Sequence, residues 1–152
     1  MAESQAGAKH SKSITAEDIM SEIVVTTSQD TPIRDAAHLM LRDRVNGLPI
    51  VDKNKNIIGM LTLTDLFMLV NQAAGNAHYD FYKDVFDEKQ LKTSEVMSKN
   101  VETIAPETTL DEIIHVTLTK KIHTFPVVKD GKLVGIIGRH DILNAIFSFD
   151  QD

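Results

Sequence analysis

Cysteine is absent from this sequence, and so is tryptophan. Without cysteine there is no disulfide staple, no thiolate zinc site and no cysteine nucleophile. Aromatic residues are sparse, six Phe and two Tyr, and so are glycine and proline, at seven and four. That scarcity argues against a disordered or fibrous chain. No apolar run is long enough to cross a bilayer, since the longest, residues 57–70, is broken by Thr62, Thr64 and Asp65. The opening stretch MAESQAGAKHSKS lacks the apolar core of a secretory signal. Positive charge is in deficit, with 16 Lys and Arg against 22 Asp and Glu and a net charge of -6. Nucleic acid, which selects clustered Lys and Arg, is therefore not an expected partner. A few local cations can still hold one phosphate. What is present, 42% hydrophobic residues in 152, suits a soluble compact protein with the cytoplasm as its expected location.

The chain repeats itself. Asp18-Ile19-Met20-Ser21 matches Glu95-Val96-Met97-Ser98 at a spacing of 77 residues (18 to 95). At the same spacing Asp30-Thr31 matches Glu107-Thr108, Ile33 matches Leu110, and Leu48-Pro49-Ile50-Val51 matches Phe125-Pro126-Val127-Val128. After one deleted residue, Ile58-Gly59-Met60-Leu61 matches Val134-Gly135-Ile136-Ile137, and Asp65-Leu66 matches Asp141-Ile142. Matches in order through both halves mark one unit written twice.

Each unit reads alike. A short helix over residues 15–20 or 94–97 opens it, with Thr15 and Asp18 as a capping box. An extended run follows, Val24-Val25-Thr26 or Val101-Glu102-Thr103. A helix then starts with Thr31 as N-cap and Pro32 as its first residue, or with Thr108 as N-cap and Asp111 completing the box. Its apolar residues recur at helical spacing: Ile33, Ala36, Ala37, Met40 and Leu41, and Leu110, Ile113, Ile114 and Leu118. Two short apolar strands come next, residues 48–51 and 57–61, or 125–128 and 132–137, joined by turn residues 52–56 or 129–131. A second helix begins at Thr64 or Asp65, and at His140 or Asp141. The fold class is α+β, with two β-α-β-β-α units. The expected organisation is a flexible tail over 1–13, unit one over 14–70, a helical linker over 71–92 and unit two over 93–149. The linker holds Tyr79, Phe81, Tyr82 and Phe86, which either pack onto the core or form a partner surface.

The repeat resembles the cystathionine-β-synthase-type (CBS) domain, which occurs as tandem pairs. The pieces that carry the likeness are Asp18-Ile19-Met20-Ser21, Thr31-Pro32-Ile33 with Ala36-Ala37, Gly47-Leu48-Pro49-Ile50-Val51-Asp52 and Gly59-Met60-Leu61-Thr62-Leu63-Thr64-Asp65-Leu66. The second copy supplies Glu95-Val96-Met97-Ser98, Phe125-Pro126-Val127-Val128 and Gly135-Ile136-Ile137-Gly138-Arg139-His140-Asp141-Ile142. The likeness implies a pseudo-twofold pair of units packed sheet to sheet, with clefts between them that bind AMP, ADP, ATP or S-adenosylmethionine. It further implies a regulatory homodimer without catalytic residues, acting on an enzyme or transporter in trans.

The motif Gly59-x-x-Thr62-x-x-Asp65 stands where a strand gives way to a helix. A carboxylate there can accept hydrogen bonds from both ribose hydroxyls, as in dinucleotide-binding folds, with Thr62 adding a hydroxyl. Alternatively Thr62 or Thr64 caps the helix while Asp65 favours its dipole. The resemblance favours the ligand role. In the second copy Gly138 replaces Thr62, Asp141 remains, and Arg139 and His140 precede it, with Arg139 a bidentate phosphate donor or merely an exposed helix start. The two clefts are therefore expected to differ. By resemblance the Asp65 cleft takes its base contacts from Val101, Thr103, Thr124 and Phe125, and the Asp141 cleft from Val24, Thr26, Gly47 and Leu48. The same residues also fit as strand residues filling the core, above all Leu48 and Phe125. By resemblance Asn46-Gly47 and His123-Thr124 lie where phosphate ligands are expected, and His123, with Lys120 and Lys121 near it, makes the second copy the more cationic. Asn46 carries no charge, so the Asp65 cleft either recruits cations such as Arg139 from across the axis or prefers a ligand with less negative charge.

The six histidines show no compact metal-ligand cluster and no HExxH motif. His38 and His115 are repeat equivalents. Ser21, Ser98 and Ser148 lie in no motif that activates a nucleophile. The expected function is a sensor of adenine nucleotides that needs no cofactor. The alternatives are a dimeric scaffold with empty clefts, or a module for S-adenosylmethionine.

Overall fold

A computed structural model of the chain describes residues 14–75 and 91–148. They make two compact units, one of residues 25–75 with 91–101, the other of residues 14–24 with 102–148. The tail over 1–13 and the four aromatics expected in the linker lie outside the described residues.

In the first unit, helix α2 (Ile33–Asp43) leads into an antiparallel hairpin of β1 (Gly47–Val51) and β2 (Ile57–Thr62), followed at once by helix α3 (Leu63–Gly75). The hairpin pairs Gly47 with Thr62 and Ile50 with Gly59, and a bulge follows at Ile50/Val51. Its turn is tied by Asp52, whose Oδ1 accepts from the Asn54 and Asn56 backbone N–H groups at 2.8 and 2.9 Å. Ile33, Ala36 and Met40 recur at helical spacing and meet Leu48, Ile50, Leu61 and Leu69 in one core. A short 3-10 turn, Thr93–Glu95, closes the unit. There Thr93, wholly buried, donates its hydroxyl to the Thr31 carbonyl at 2.7 Å.

The second unit contains helix α1 (Ala16–Ile19), helix α4 (Leu110–Lys120), the hairpin of β3 (Thr124–Lys129) and β4 (Lys132–Gly138), and helix α5 (Arg139–Ser148). Thr124 pairs with Gly138 and Val127 with Gly135. The core holds Ile14, Ala16, Ile104, Leu110, Ile113, Phe125, Val127, Ile137, Ile142 and Ala145.

The opening motif of each sequence repeat thus folds with the hairpin of the other. Ser21 exchanges both backbone hydrogen bonds with Ile136 in β4, at 2.9 and 3.0 Å, and Ser98 exchanges both with Met60 in β2, at 2.9 Å. Beside each bridge a methionine lies on a glycine. A Cβ at Gly59 would overlap Met97 Sδ, and one at Gly135 would overlap Met20 Sδ. The glycines are present because the thioethers occupy the space a side chain would need.

Three local expectations are corrected. The extended runs 24–26 and 101–103 are not ladder strands; each leads to a single parallel bridge just beyond it, Thr27 to Ile50 and Ile104 to Val127. The bulges at Ile50/Val51 and Val127/Val128 fall beside those bridges. The long helices start one residue later than expected, with Pro32 and Thr109 as N-caps. The hydroxyl of Thr31 is taken by Thr27 at 2.7 Å, and that of Thr108 by the Ala105 N–H at 3.1 Å. Thr109 and Glu112 form the capping box instead, with bonds of 3.0 and 3.3 Å. Finally Leu41 and Leu118, expected on the core face, are 66% and 74% exposed. They sit one residue round from the buried Met40 and at the outer edge of the apolar stripe.

Candidate functional site

Each hairpin ends directly in a helix, so the last strand residue is also the helix N-cap. In the first unit that residue is Thr62, with Asp65 as the third residue of α3. Asp65 Oδ2 accepts from the Thr62 backbone N–H at 2.8 Å and from the Thr62 hydroxyl at 3.0 Å, and Thr62 Oγ1 accepts from the Asp65 N–H at 3.3 Å. This reciprocal box satisfies orphan donors of the first turn and places a negative charge at the positive end of the helix dipole. The capping reading is therefore realised for Thr62 and Asp65. It uses only one carboxylate oxygen. Asp65 Oδ1 accepts no hydrogen bond, and Asp65 joins no ion pair, among the described residues.

The second unit repeats the corner with one donor fewer. Asp141 Oδ2 accepts from the Gly138 N–H at 2.7 Å, and no hydroxyl stands beside it. An ionised carboxylate offers about four acceptor positions. Asp65 has two occupied and Asp141 one. The glycine in place of Thr62 thus leaves the second carboxylate more acceptor capacity, an effect that the sequence motif alone does not show. Space is not the reason for the glycine, since a Cβ at Gly138 would lie 3.7 Å from Asp141 Oδ2, an ordinary contact. Both carboxylates are half-buried, fixed by their caps and open on one side.

The hairpin registers bring further expected residues to these corners. Gly47 is opposite Thr62, and Asn46 just before it accepts at its carbonyl from the Leu63 N–H at 3.1 Å. Thr124 is opposite Gly138, so His123 and Arg139 are the residues that flank this last pair of the hairpin. His123, Arg139 and His140 are exposed, as is Asn46. Arg139 has no ion pair or hydrogen bond among the described residues. Thr26 lies beside β1, next to the bridge from Thr27, while Thr103 lies beside β3, next to the bridge from Ile104. Val24, Thr26 and Val101 are half-buried and Thr103 is exposed. Leu48 and Phe125 are wholly buried in their cores, so their side chains hold the sheets in place and present no face outward. The Met20–Gly135 and Met97–Gly59 packing that seats each hairpin was not singled out from the sequence. The signal for it was there, in the alignment of Met20 with Met97 and of Gly59 with Gly135.

Among the described residues no three His, Asp or Glu side chains converge as metal ligands, and no helix is long and apolar enough to cross a membrane.

Comparison with known proteins agrees with this duplicated frame. The CBS domain family model matches residues 16–71 and 94–148. The inosine-5'-monophosphate dehydrogenase of Aquifex aeolicus is 34% identical over 121 residues, covering 78% of this chain and 22% of that enzyme. The chloroplastic CBS domain-containing protein CBSX2 of Arabidopsis thaliana is 28% identical over 139 residues, 80% of this chain and 58% of that protein. The chain thus spans about a fifth of the first of these relatives and less than two thirds of the second. The crystal structure of CBSX2 in complex with AMP superposes with a TM-score of 0.72 at 26% identity, covering 90% of this chain and 98% of that one. A CBS domain pair crystallised with 5'-methylthioadenosine and S-adenosyl-L-methionine gives a TM-score of 0.72 at 26% identity, covering 90% and 97%. On the match of both repeats, the chain belongs to the CBS domain family.

Proposed function

We propose that this chain is a non-catalytic regulatory module that binds an adenine nucleotide, AMP, ADP or ATP, at one or both of the Asp65 and Asp141 corners. The carrying observation is a carboxylate held rigidly by its own helix cap with acceptor positions left open, built twice. Two vicinal hydroxyls of a ribose match such an acceptor. The complexes of similar CBS pairs with AMP and with S-adenosyl-L-methionine support an adenosine moiety as the shared chemistry. The nucleotide would bias an equilibrium between states, with a coupling of about 1–3 kcal/mol, and so regulate an enzyme or transporter in trans in the cytoplasm.

Thermal unfolding tests this. A ligand at 100 times its Kd adds about 2.7 kcal/mol, which for a chain of this size raises Tm by about 5–10 °C. AMP, ADP or ATP is expected to produce that shift in the wild type. Asp65→Asn keeps an oxygen for the Thr62 cap but puts an amide donor where the open acceptor was. This substitution or Asp141→Asn, whichever alters the corner that holds the nucleotide, is expected to shrink the shift. An unchanged melting temperature with every adenine ligand sinks the reading.

A homodimer is part of the proposal. Apolar residues are exposed at equivalent places in both repeats, Leu41 with Leu118 and Phe67 with Leu143, and such faces mark interaction surfaces. Light scattering on the wild type and on Phe67→Glu checks it, with a dimer expected to dissociate. A dimer that responds to no nucleotide would favour the scaffold reading instead.

A further inference from the structure

We infer that the two corners select ligands of different charge: the Asp141 corner takes a phosphorylated adenosine, and the Asp65 corner takes an adenosine derivative without phosphate. This rests on the nucleotide reading above. The basis is what each hairpin register sets beside its carboxylate.

At the Asp141 corner, His123 and Arg139 flank the pair of Thr124 with Gly138, and His140 follows in the chain. One guanidinium and two imidazoles, all exposed, thus stand on the residues that flank Asp141 in the chain and the end of the hairpin that leads to it. The equivalent positions in the first unit are Asn46, Leu63 and Thr64, none of which carries charge. Each repeat also has a cation at the left-handed end of its long helix, Arg44 and Lys121, so these two residues do not distinguish the corners.

Arg139 is one of the described cations without an acidic partner, as are Arg44, Lys53, Lys55, Lys99, Lys121, Lys129 and Lys132. Arg34, Arg42, Lys92 and Lys120 each have an acidic partner within 3.7 Å, namely Asp35, Asp43, Asp30 and Glu102. Arg139 has none among the described residues, although Asp141 is only two positions away. In a chain of net charge -6, an unpaired guanidinium flanked by imidazole donors is a place where a phosphate finds charge-assisted, bidentate hydrogen bonds. The first corner meets a phosphate with an amide, an apolar side chain and a hydroxyl, while Asp65 repels it. A nucleoside whose 5'-substituent is neutral or cationic is the better fit there.

Isothermal titration calorimetry of the full chain with ATP, AMP and adenosine, at two salt concentrations, tests the assignment. The variants are R139L, R139K, D65N and D141N, with unfolding of each measured without ligand as the folding control. R139L, which installs the residue found at position 63, is expected to weaken ATP binding at least tenfold and to flatten its salt dependence. Adenosine binding is expected to stay within twofold. R139K should recover part of the ATP affinity. D141N is expected to remove the ATP site and keep the adenosine site, and D65N the reverse. Binding of ATP that R139L does not weaken, or that D65N rather than D141N removes, overturns the charge assignment while leaving nucleotide binding intact. No heat with any of the three probes overturns both.

Discussion

The methionine–glycine contacts show how single residues seat this fold. A Cβ at Gly135 would come within 2.8 Å of Met20 Cγ and 3.2 Å of its Cβ, both near the backbone. At Gly59 the nearest atoms are Sδ, Cε and Cγ of Met97, with the last two at 3.0 Å. Thioether tips can turn aside, whereas a Cβ moves only with its backbone. Gly135→Ala is therefore expected to cost more than Gly59→Ala, within the range of about 1–3 kcal/mol for overpacking. Chemical denaturation measures both, and a double variant with Met20→Ala should be less than additive. Backbone strain gives a second expectation. Arg44 and Lys121 sit at φ 54° and 56° as helix C-caps, where glycine is the usual occupant. Arg44→Gly is expected to leave stability unchanged or raise it by up to about 1 kcal/mol, because the relief of the left-handed penalty is offset by the entropy of glycine. Thermal unfolding checks this.

At the scale of elements, the caps decide where helices begin. Thr109 and Glu112 satisfy each other's backbone donors at the start of α4, so Thr109→Ala is expected to cost about 1 kcal/mol. Thr108→Ala removes only the acceptor of the Ala105 N–H and should cost less, a comparison that equilibrium unfolding resolves. Cap residues were legible in the sequence as a type, and one arm of the box of Thr15 with Asp18 forms, the Thr15 N–H donating to Asp18 Oδ2 at 2.9 Å, while the Asp18 N–H bonds the Thr15 carbonyl at 3.0 Å. The exact positions were read one residue early, because Thr31 and Thr108 are good cap residues whose hydroxyls bond within the preceding turn instead. The hairpins and following helices were legible from short apolar runs and turn residues. The first extended runs read as strands, but they meet the sheet through one bridge each, and pairing partners that close from a distance leave no periodic mark nearby.

For the molecule as a whole, the folding unit and the sequence repeat are not the same set of residues. Helix α1 belongs to the unit built on β3 and β4. Removing residues 1–24 takes away Ile14, whose burial is worth about 1.5–3 kcal/mol, and the two backbone bonds of Ser21 to Ile136. Hydrogen exchange in such a truncated chain is expected to speed up at the Ile136 amide and to stay unchanged at Met60, whose partner Ser98 remains. Equal exchange at both amides would count against the division of units.

The sequence by itself determined the duplication, the order of elements, the family and the two corner carboxylates, because these follow from local patterns and from spacing along the chain. Only the tertiary structure decided that each repeat's opening motif folds with the other's hairpin. It also decided that one oxygen of each carboxylate is spent on a cap, and that Thr124 pairs with Gly138 at the end of the second hairpin. The physical reason is the same throughout. Such facts depend on which backbone groups meet across 38 to 115 residues of chain, as in Ser98 with Met60 and Ser21 with Ile136, or on how lone pairs are shared at a corner, and a one-dimensional pattern records neither.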